Sequence, residues 1–289
     1  MKRRSFKNKL LFCPLFFGFV IRCAVAQTPP IATQSPSDAP IDLTKYKLAQ
    51  LYSNDFSHPQ KIVYERDLLD KDTAKRVRRP TRDVEWIVEG DGGVDIRNGV
   101  MRASPVPFDK RGNQIAGAKR SHLVIWNNRI FPADFLLEWD MSPNNSTSGL
   151  TIVFFCATSK TGGDIFDPSL PHRGADYKTY HSGEIANYSD SYWSRNTPVE
   201  GATNRLRRNP GFALVAEGES LTTGSTAMTH HLRLLKAGKH IELEVNRKVV
   251  WKWDDPLTPL GRGRIGFRSM DGVSTITYDN VKVWKLTKK

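Results

Sequence analysis

Cysteine is scarce in this chain, with three among 289 residues: Cys13, Cys23 and Cys156. Two of the three lie within the first 26 residues. That stretch has a basic start (Lys2, Arg3, Arg4, Lys7, Lys9), an apolar run from Leu10 to Ile21, and Ala24, Val25 and Ala26 before Gln27. It reads as a secretory signal peptide over 1–26, cleaved after Ala26. The run falls short of the roughly 20 apolar residues that span a bilayer, is broken by Pro14 and is followed at once by Arg22. The expected mature protein is therefore secreted or periplasmic, with no membrane insertion after cleavage. It keeps Cys156 alone, so no intramolecular disulfide can form and the fold must rest on its core. Inside the apolar run TIVFFCAT a thiol behaves as a small hydrophobe, which favours packing over nucleophilic chemistry for Cys156.

Other absences narrow the function. No basic helix, finger spacing or RNA-binding signature is present, which argues against nucleic acid as a partner. The G-x-S-x-G elbow and the α/β alternation of serine hydrolases are missing. No heptad or long apolar stripe at helical spacing exists, and no internal repeat suggests a propeller or solenoid. The one expected helix is a short amphipathic turn within VYERDLLDKDTAKRV, seated by Val63, Leu68, Leu69 and Val77. His230 and His231 are adjacent and face opposite ways on a strand, which makes a metal pair improbable.

Charge is unbalanced. The formal net charge is +13, and the leader carries six basic residues and no acidic one, so the mature chain stands at +7. Such a chain favours an anionic partner such as a uronate-bearing polysaccharide. Part of the charge is local, in KRVRRPTR over 75–82, which reads as a solvated loop.

What is present is β-strand. Residues 27–43 hold four prolines and no period, and read as a linker to a single domain over 44–289. Beyond it, short β-branched and aromatic runs alternate with polar residues between Gly, Pro and Asn clusters. In DFLLEWDM, Phe135, Leu137, Trp139 and Met141 share one face, while Leu136, Glu138 and Asp140 share the other. HIELEVNRKVVWKWDD reads as a hairpin turning at Asn246 and Arg247. GLTIVFFCAT and GFALVAEG have consecutive apolar residues, as expected of central strands covered on both faces. The fold class is all-β, a two-sheet jelly-roll sandwich.

The chemistry concentrates between Asp164 and Asn209, in DIFDPSL, YKTYHSGEIANYSDSYWSRN and NRLRRN. Tyr177, Tyr180, Tyr188, Tyr192 and Trp193 offer rings for sugar faces, with Trp126 as a further stacking candidate, while Asp164, Asp167, Arg207 and Arg208 offer hydrogen bonds and charge. A lyase acting on a uronate must neutralise the carboxylate, take the neighbouring proton and protonate the leaving oxygen. Arg195, Arg207 or Arg208 suits the first task, His181 the second, and Tyr180 or Tyr188 the third, with Glu184 in the same cluster. Adjacent residues of a strand oppose each other, so His181 with Tyr188 is the better pair if that run is regular strand. A retaining hydrolase needs two carboxyls about 5–5.5 Å apart, for which Asp164, Asp167 and Glu184 are the candidates. The E-x-D-x-x-E run usual in jelly-roll glucanases is absent, and Glu138 with Asp140 reads as a solvated outer strand. A third reading is a lectin-like module that stacks sugar on Trp126, Tyr188 and Trp193. No cofactor is required; a structural calcium near Asp254, Asp255 and Asp279 competes with the reading of DDP and YDN as ordinary turns.

The ending GRGRIGFRSMDGVSTITYDNVKVWKL, with KAGKHIELEVNRKVVWKWDD before it, resembles the closing strands of concanavalin A-like lectin and glucanase jelly rolls. The series VIWNNRIFPADFLLEWD, SGLTIVFFCAT, DIFDPSL, YHSGEIANYSDSYWSRN and NRLRRNPGFALVAEG resembles a bacterial domain family of unknown function, number 1961, with members in pectin-degradation gene clusters. The resemblance runs from Tyr46 to Trp284. It implies a jelly roll with a sugar-binding groove, linked to breakdown of acidic, rhamnose-containing polysaccharides. It carries over no catalytic residues, and VYERDLLDKDTAKRVRRP lies outside the shared pattern.

Overall fold

The computed structural model describes residues 32–34, 39–143, 150–193, 203–221, 228–270 and 275–289. The leader over 1–26 and Arg195 lie outside the described residues. The strands in chain order are β1 (Ala32–Gln34), β2 (Tyr46–Asn54), β3 (Ile62–Tyr64), β4 (Trp86–Gly90), β5 (Gly93–Arg97), β6 (Val100–Ser104), β7 (Leu123–Asn127), β8 (Phe135–Pro143) and β9 (Leu150–Ser159). There follow β10 (Ile185–Trp193), β11 (Thr203–Asn209), β12 (Ala213–Glu219), β13 (His230–Ala237), β14 (His240–Val245), β15 (Lys248–Asp254), β16 (Arg264–Ser269) and β17 (Ile276–Lys288). An α-helix, α1 (Tyr177–His181), precedes β10.

Two sheets face each other. A nine-stranded sheet runs in the order β1-β12-β11-β10-β9-β16-β7-β4-β3, and an eight-stranded one runs β15-β14-β13-β8-β17-β6-β5, with β2 added alongside β17. Pairing is antiparallel except for β1 with β12 and β3 with β4. The alternation in β8 produces the inner layer as expected: Phe135, Leu137, Trp139 and Met141 enter the core between the sheets, while Leu136 packs on the outer side with Ile41, Leu235, Val249 and Leu286. Glu138 and Asp140 sit on that outer side, bonded to Arg233 and His231. The β14–β15 hairpin turns through Asn246 and Arg247, both at positive φ (51° and 68°), the backbone that a two-residue primed turn requires.

Three local expectations are corrected. The VYERDLLDKDTAKRV segment forms only a single 3₁₀ turn, Glu65–Leu68, because its backbone bonds close across the segment, the Asp70 amide to the Lys75 carbonyl and the Val77 amide to the Leu68 carbonyl, instead of along a helix axis. GFALVAEG supplies β12, which lies one strand from the sheet edge. Residues 27–43 contribute β1 on that edge, and Ile41 buries itself on the second sheet.

The feature that positions the site is a second core on the outer face of the nine-stranded sheet. Ile87, Val124, Trp126, Ile152 and Phe154 project outward from β4, β7 and β9 and are sealed by Ile165, Phe166, Ala175 and Tyr180 from the segment that returns over them. This is why nearly every residue of β9 is buried: Val153 and Phe155 face the first core, Ile152 and Phe154 the second. Gly266 on β16 makes room for it. A Cβ there would stand 2.5 Å from the Trp126 ring, so only glycine lets the indole lie across the strand. Cys156 is buried at a positive φ of 53°, and burial pushes its thiol up to about 12, as suits an inert packing residue.

Candidate functional site

The returning segment ends in α1, and α1 ends where the second core ends. Asp176 caps the helix by accepting from the Lys178 amide at 3.1 Å. At the other end, Asn187 Nδ2 donates to the Tyr180 carbonyl at 2.8 Å, and the Gly211 amide donates to the His181 carbonyl at 2.8 Å. The helix is thereby tied both to β10 and to the turn between β11 and β12. Beyond it the outer face of the sheet becomes polar. Asn187 and Ser189 of β10 are joined to Asn209 of β11 through its side-chain amide, at 2.9 and 3.1 Å. Arg205 and Arg207 of β11 pair in register with Ser191 and Ser189.

At the boundary between the apolar and polar halves four side chains converge. The His181 ring lies 4.9 Å from that of Tyr177 and 4.5 Å from that of Phe212, and the Arg207 guanidinium sits 4.4 Å over the Phe212 ring. Phe212 is 39% exposed, unusual for a phenylalanine held at positive φ in a turn. Arg205 is neutralised by Glu217 at 2.9 Å. Arg207 has no carboxylate partner among the described residues; it donates a long 3.4 Å bond to Ser191 Oγ, and its Nε is buried without a partner. Beneath Tyr177, Arg268 of β16 is fully buried, 4.9 Å from the Tyr177 ring, and donates from Nη1 to the Ala175 carbonyl at 3.0 Å. Its Nη2 has no partner. Desolvation lowers the pKa of both arginines and of His181, which leaves the imidazole neutral near pH 7.

This cluster contains three of the residues named from sequence, Tyr177, His181 and Arg207. The others fall elsewhere. Trp126 and Tyr180 are fully buried in the second core, stacked with Phe154 at centroid distances of 5.5 and 5.3 Å, and present no ring face to a sugar. Both donate to the buried Glu89, which also pairs with Arg173. Tyr188 and Tyr192 point to the inner side of β10 and belong to the core between the sheets. Tyr188 donates to the buried Asp255, so it is not brought beside His181. Arg208 also serves Asp255, at 3.0 Å, and donates to the Thr258 carbonyl at 2.8 Å. Glu184 is exposed and pairs with Lys160 at 3.3 Å. Asp164 is clasped by Arg264 through two bonds of 2.8 and 2.7 Å beside a separate cavity of about 240 Å³, and Asp167 pairs with Arg79. Trp193 lies in β10.

The corrected pairing has a simple cause. The run YKTYH is helical, so the strand condition on which that pairing rested is not met, and the alternation of β10 places its serines and asparagine outward and its tyrosines inward. Sequence reading missed Phe212 and Arg268. An aromatic directly after Pro-Gly was the available signal for Phe212; Arg268 gave none, since it sits in an apolar strand like any buried arginine. Asp254 is engaged by His240 at 2.6 Å and Asp255 by Tyr188 and Arg208, and among the described residues no cluster of three His, Cys, Asp or Glu side chains is placed to hold a metal.

Residues 74–283 match the family described as a domain of unknown function, DUF1961. The chain belongs to this family. The uncharacterized protein YesU of Bacillus subtilis (strain 168) is 31% identical over 221 residues, covering 72% of this chain and 95% of YesU. The crystal structure of a protein of unknown function with a galectin-like fold, from Bacillus subtilis, superimposes with a TM-score of 0.65 at 27% identity. That match covers 84% of this chain and 100% of the other. This overlay agrees with the two-sheet sandwich described above. The insertion preceding β4 reaches into the matched region only at its end, yet it is tied to the returning segment: Arg76 donates to the Asp167 carbonyl at 3.0 Å and pairs with the buried Glu65.

Proposed function

We propose that this protein binds an acidic carbohydrate across the polar half of the nine-stranded sheet and cleaves it by β-elimination. The observation that carries the reading is Arg207, a half-buried guanidinium without a carboxylate partner among the described residues, set among His181, Tyr177 and Phe212. A uronate carboxylate meets a guanidinium through two parallel bonds, and the exposed Phe212 ring suits an apolar sugar face. Galectin-like architecture supports the carbohydrate part of the reading. The leader read in the sequence supports export, where such polymers are met.

The neutral His181 supplies a base for the proton beside the carboxylate; its Nδ1 is engaged by Ser182 Oγ at 2.6 Å, which leaves Nε2 for the sugar. Hydrolysis fits less well. Asp164, Asp167 and Glu184, the carboxyls named for that reaction, each have a cationic partner away from this face.

The test is purified protein against polygalacturonate, rhamnogalacturonan, ulvan and acidic gums. The expected product is an unsaturated uronide, followed by its ultraviolet absorbance. New reducing ends without that absorbance overturn elimination in favour of hydrolysis. Retardation in affinity electrophoresis with neither product overturns cleavage and leaves a lectin-like protein.

A further inference from the structure

Tyr188 and Tyr180 are both committed to buried carboxylates, so the elimination proposed above lacks its acid unless another tyrosine supplies it. We propose that Tyr177 is the acid that protonates the leaving oxygen, and that Arg268 is a positioning residue that holds and polarises the Tyr177 phenol from beneath. The inference rests on the β-elimination reading.

Three observations converge on it. The Tyr177 ring is fixed on three sides, by His181 at 4.9 Å, by Phe212 at 5.8 Å and by the Arg268 guanidinium at 4.9 Å, while its hydroxyl makes no hydrogen bond to a described residue. Arg268 is wholly buried, and no carboxylate oxygen lies within ion-pair distance of it among the described residues. A buried charge left without a counter-ion is expensive unless something offsets it, and the aromatic faces of Tyr177 and Tyr180 offset only part of that cost. Finally, the charges that act on Tyr177 among the described residues are Arg207 from β11 and Arg268 from β16, with His181 beside it on its own helix and Asp176 turned to cap the helix start. Burial raises the Tyr177 phenol, while the charges of Arg207 and Arg268 pull it back down, which is the balance a proton donor to an alkoxide needs. The carboxylates nearest Arg268, Glu89 and Asp176, act on it only at a distance.

The step balances without a co-reactant. His181 takes the proton from the carbon beside the carboxylate, the electron pair forms the carbon–carbon double bond, and the bond to the leaving oxygen breaks. Tyr177 gives its proton to that oxygen and regains one from solvent, while His181 releases its own.

The test uses Tyr177→Phe, Arg268→Gln and the charge-keeping Arg268→Lys in the full protein, with thermal melts to confirm folding. Tyr177→Phe is expected to lower turnover by about 100-fold or more while polysaccharide retardation persists. Arg268→Gln is expected to lower kcat by about 10-fold with KM within about twofold, and to move the alkaline limb of the pH profile upward, with partial rescue in Arg268→Lys. The tyrosinate absorbance that parent and Tyr177→Phe do not share reports the phenol directly, independent of turnover. It should titrate at higher pH in Arg268→Gln. Unchanged turnover in Tyr177→Phe overturns the acid, and an unmoved titration in Arg268→Gln overturns the positioning residue. A parent protein that yields no unsaturated product sinks the elimination reading and the acid with it, while the titration still decides whether Arg268 acts on Tyr177.

Discussion

Arg207 and Arg208, neighbours in sequence, leave β11 on opposite faces: Arg207 lies over Phe212 on the outer side, and Arg208 reaches Asp255 at 3.0 Å on the inner side. The two should therefore fail differently. Arg208→Ala leaves the fully buried Asp255 with only the Tyr188 hydroxyl and the Leu257 amide. Breaking one partner of a buried pair costs about 3–5 kcal/mol, so the melting temperature should fall by about 6–20 °C. Arg207→Gln removes no ion pair and should melt within about 2 °C of the parent, yet lose its retardation in an acidic polysaccharide gel. Thermal melts and affinity electrophoresis on the two variants separate these outcomes.

Asp190 stands in the core between the sheets, where it accepts from the Trp251 indole at 3.1 Å and its second oxygen has no partner. Desolvation raises its pKa well above the ordinary carboxylate range. A raised acid is protonated in the folded chain and ionised in the unfolded one, so it favours folding less and less as pH climbs above about 4. Asp190→Asn removes that penalty and keeps the acceptor. Its stability relative to the parent should grow by up to about 1.4 kcal/mol for each pH unit above 4 until the folded carboxyl ionises, as read from urea titrations at several pH values.

The sandwich was legible because its pattern is local. DFLLEWDM alternates with period two and does form the expected inner layer, and Asn246 with Arg247 does turn a hairpin. The site was less legible for two physical reasons. Period two says that Tyr188 and Ser189 part company, but not which of them faces the interior; that depends on Asp255, Trp253 and Leu260, which arrive much later in the chain. Trp126 and Tyr180 looked like sugar platforms because a second core is invisible until the 160–184 segment folds back over β7 and β9. Ion pairs such as Glu89 with Arg173 span 84 residues and leave no spacing in the sequence.

That returning segment carries a pH-dependent link. His172 Nδ1 lies 2.8 Å from Glu65 Oε2. The Glu65 bond raises the His172 pKa, so the imidazolium contributes stability below its unfolded value of about 6.5 and loses it as pH rises through the higher folded value. Burial alone would raise Glu65, but the His172 bond and the Arg173 and Arg76 charges outweigh it and hold the carboxyl at about 2. Its contribution is present above pH about 4.5 and fades as pH falls toward 2. The pair is strongest between those limits. His172→Gln should cost about 1 kcal/mol near pH 5.5, a figure discounted because the imidazole is a third exposed, and less at pH 8.5. Melting curves at the two pH values check the difference; an equal loss at both would assign His172 a packing role.

Phe212 offers the sharpest separation of binding from folding. Its ring touches His181, Tyr177 and Arg207 and stays 39% exposed, so truncation removes only part of the area of a core ring. Phe212→Ala should destabilise the fold by about 1–2 kcal/mol, in line with a partly exposed side chain. Stacking of a sugar on an aromatic ring resembles other ring contacts, worth about 0.5–1.5 kcal/mol beyond area burial, so affinity for an acidic oligosaccharide should fall by about 3- to 10-fold. Phe212→Trp should keep or improve it. Because the stacking contribution is apolar, raising the salt concentration should weaken the parent and Phe212→Ala by the same factor, whereas Arg207→Gln should lose most of that salt dependence. Calorimetric titrations at two ionic strengths decide the matter, and a Phe212→Ala protein that binds as tightly as the parent removes the ring from the site.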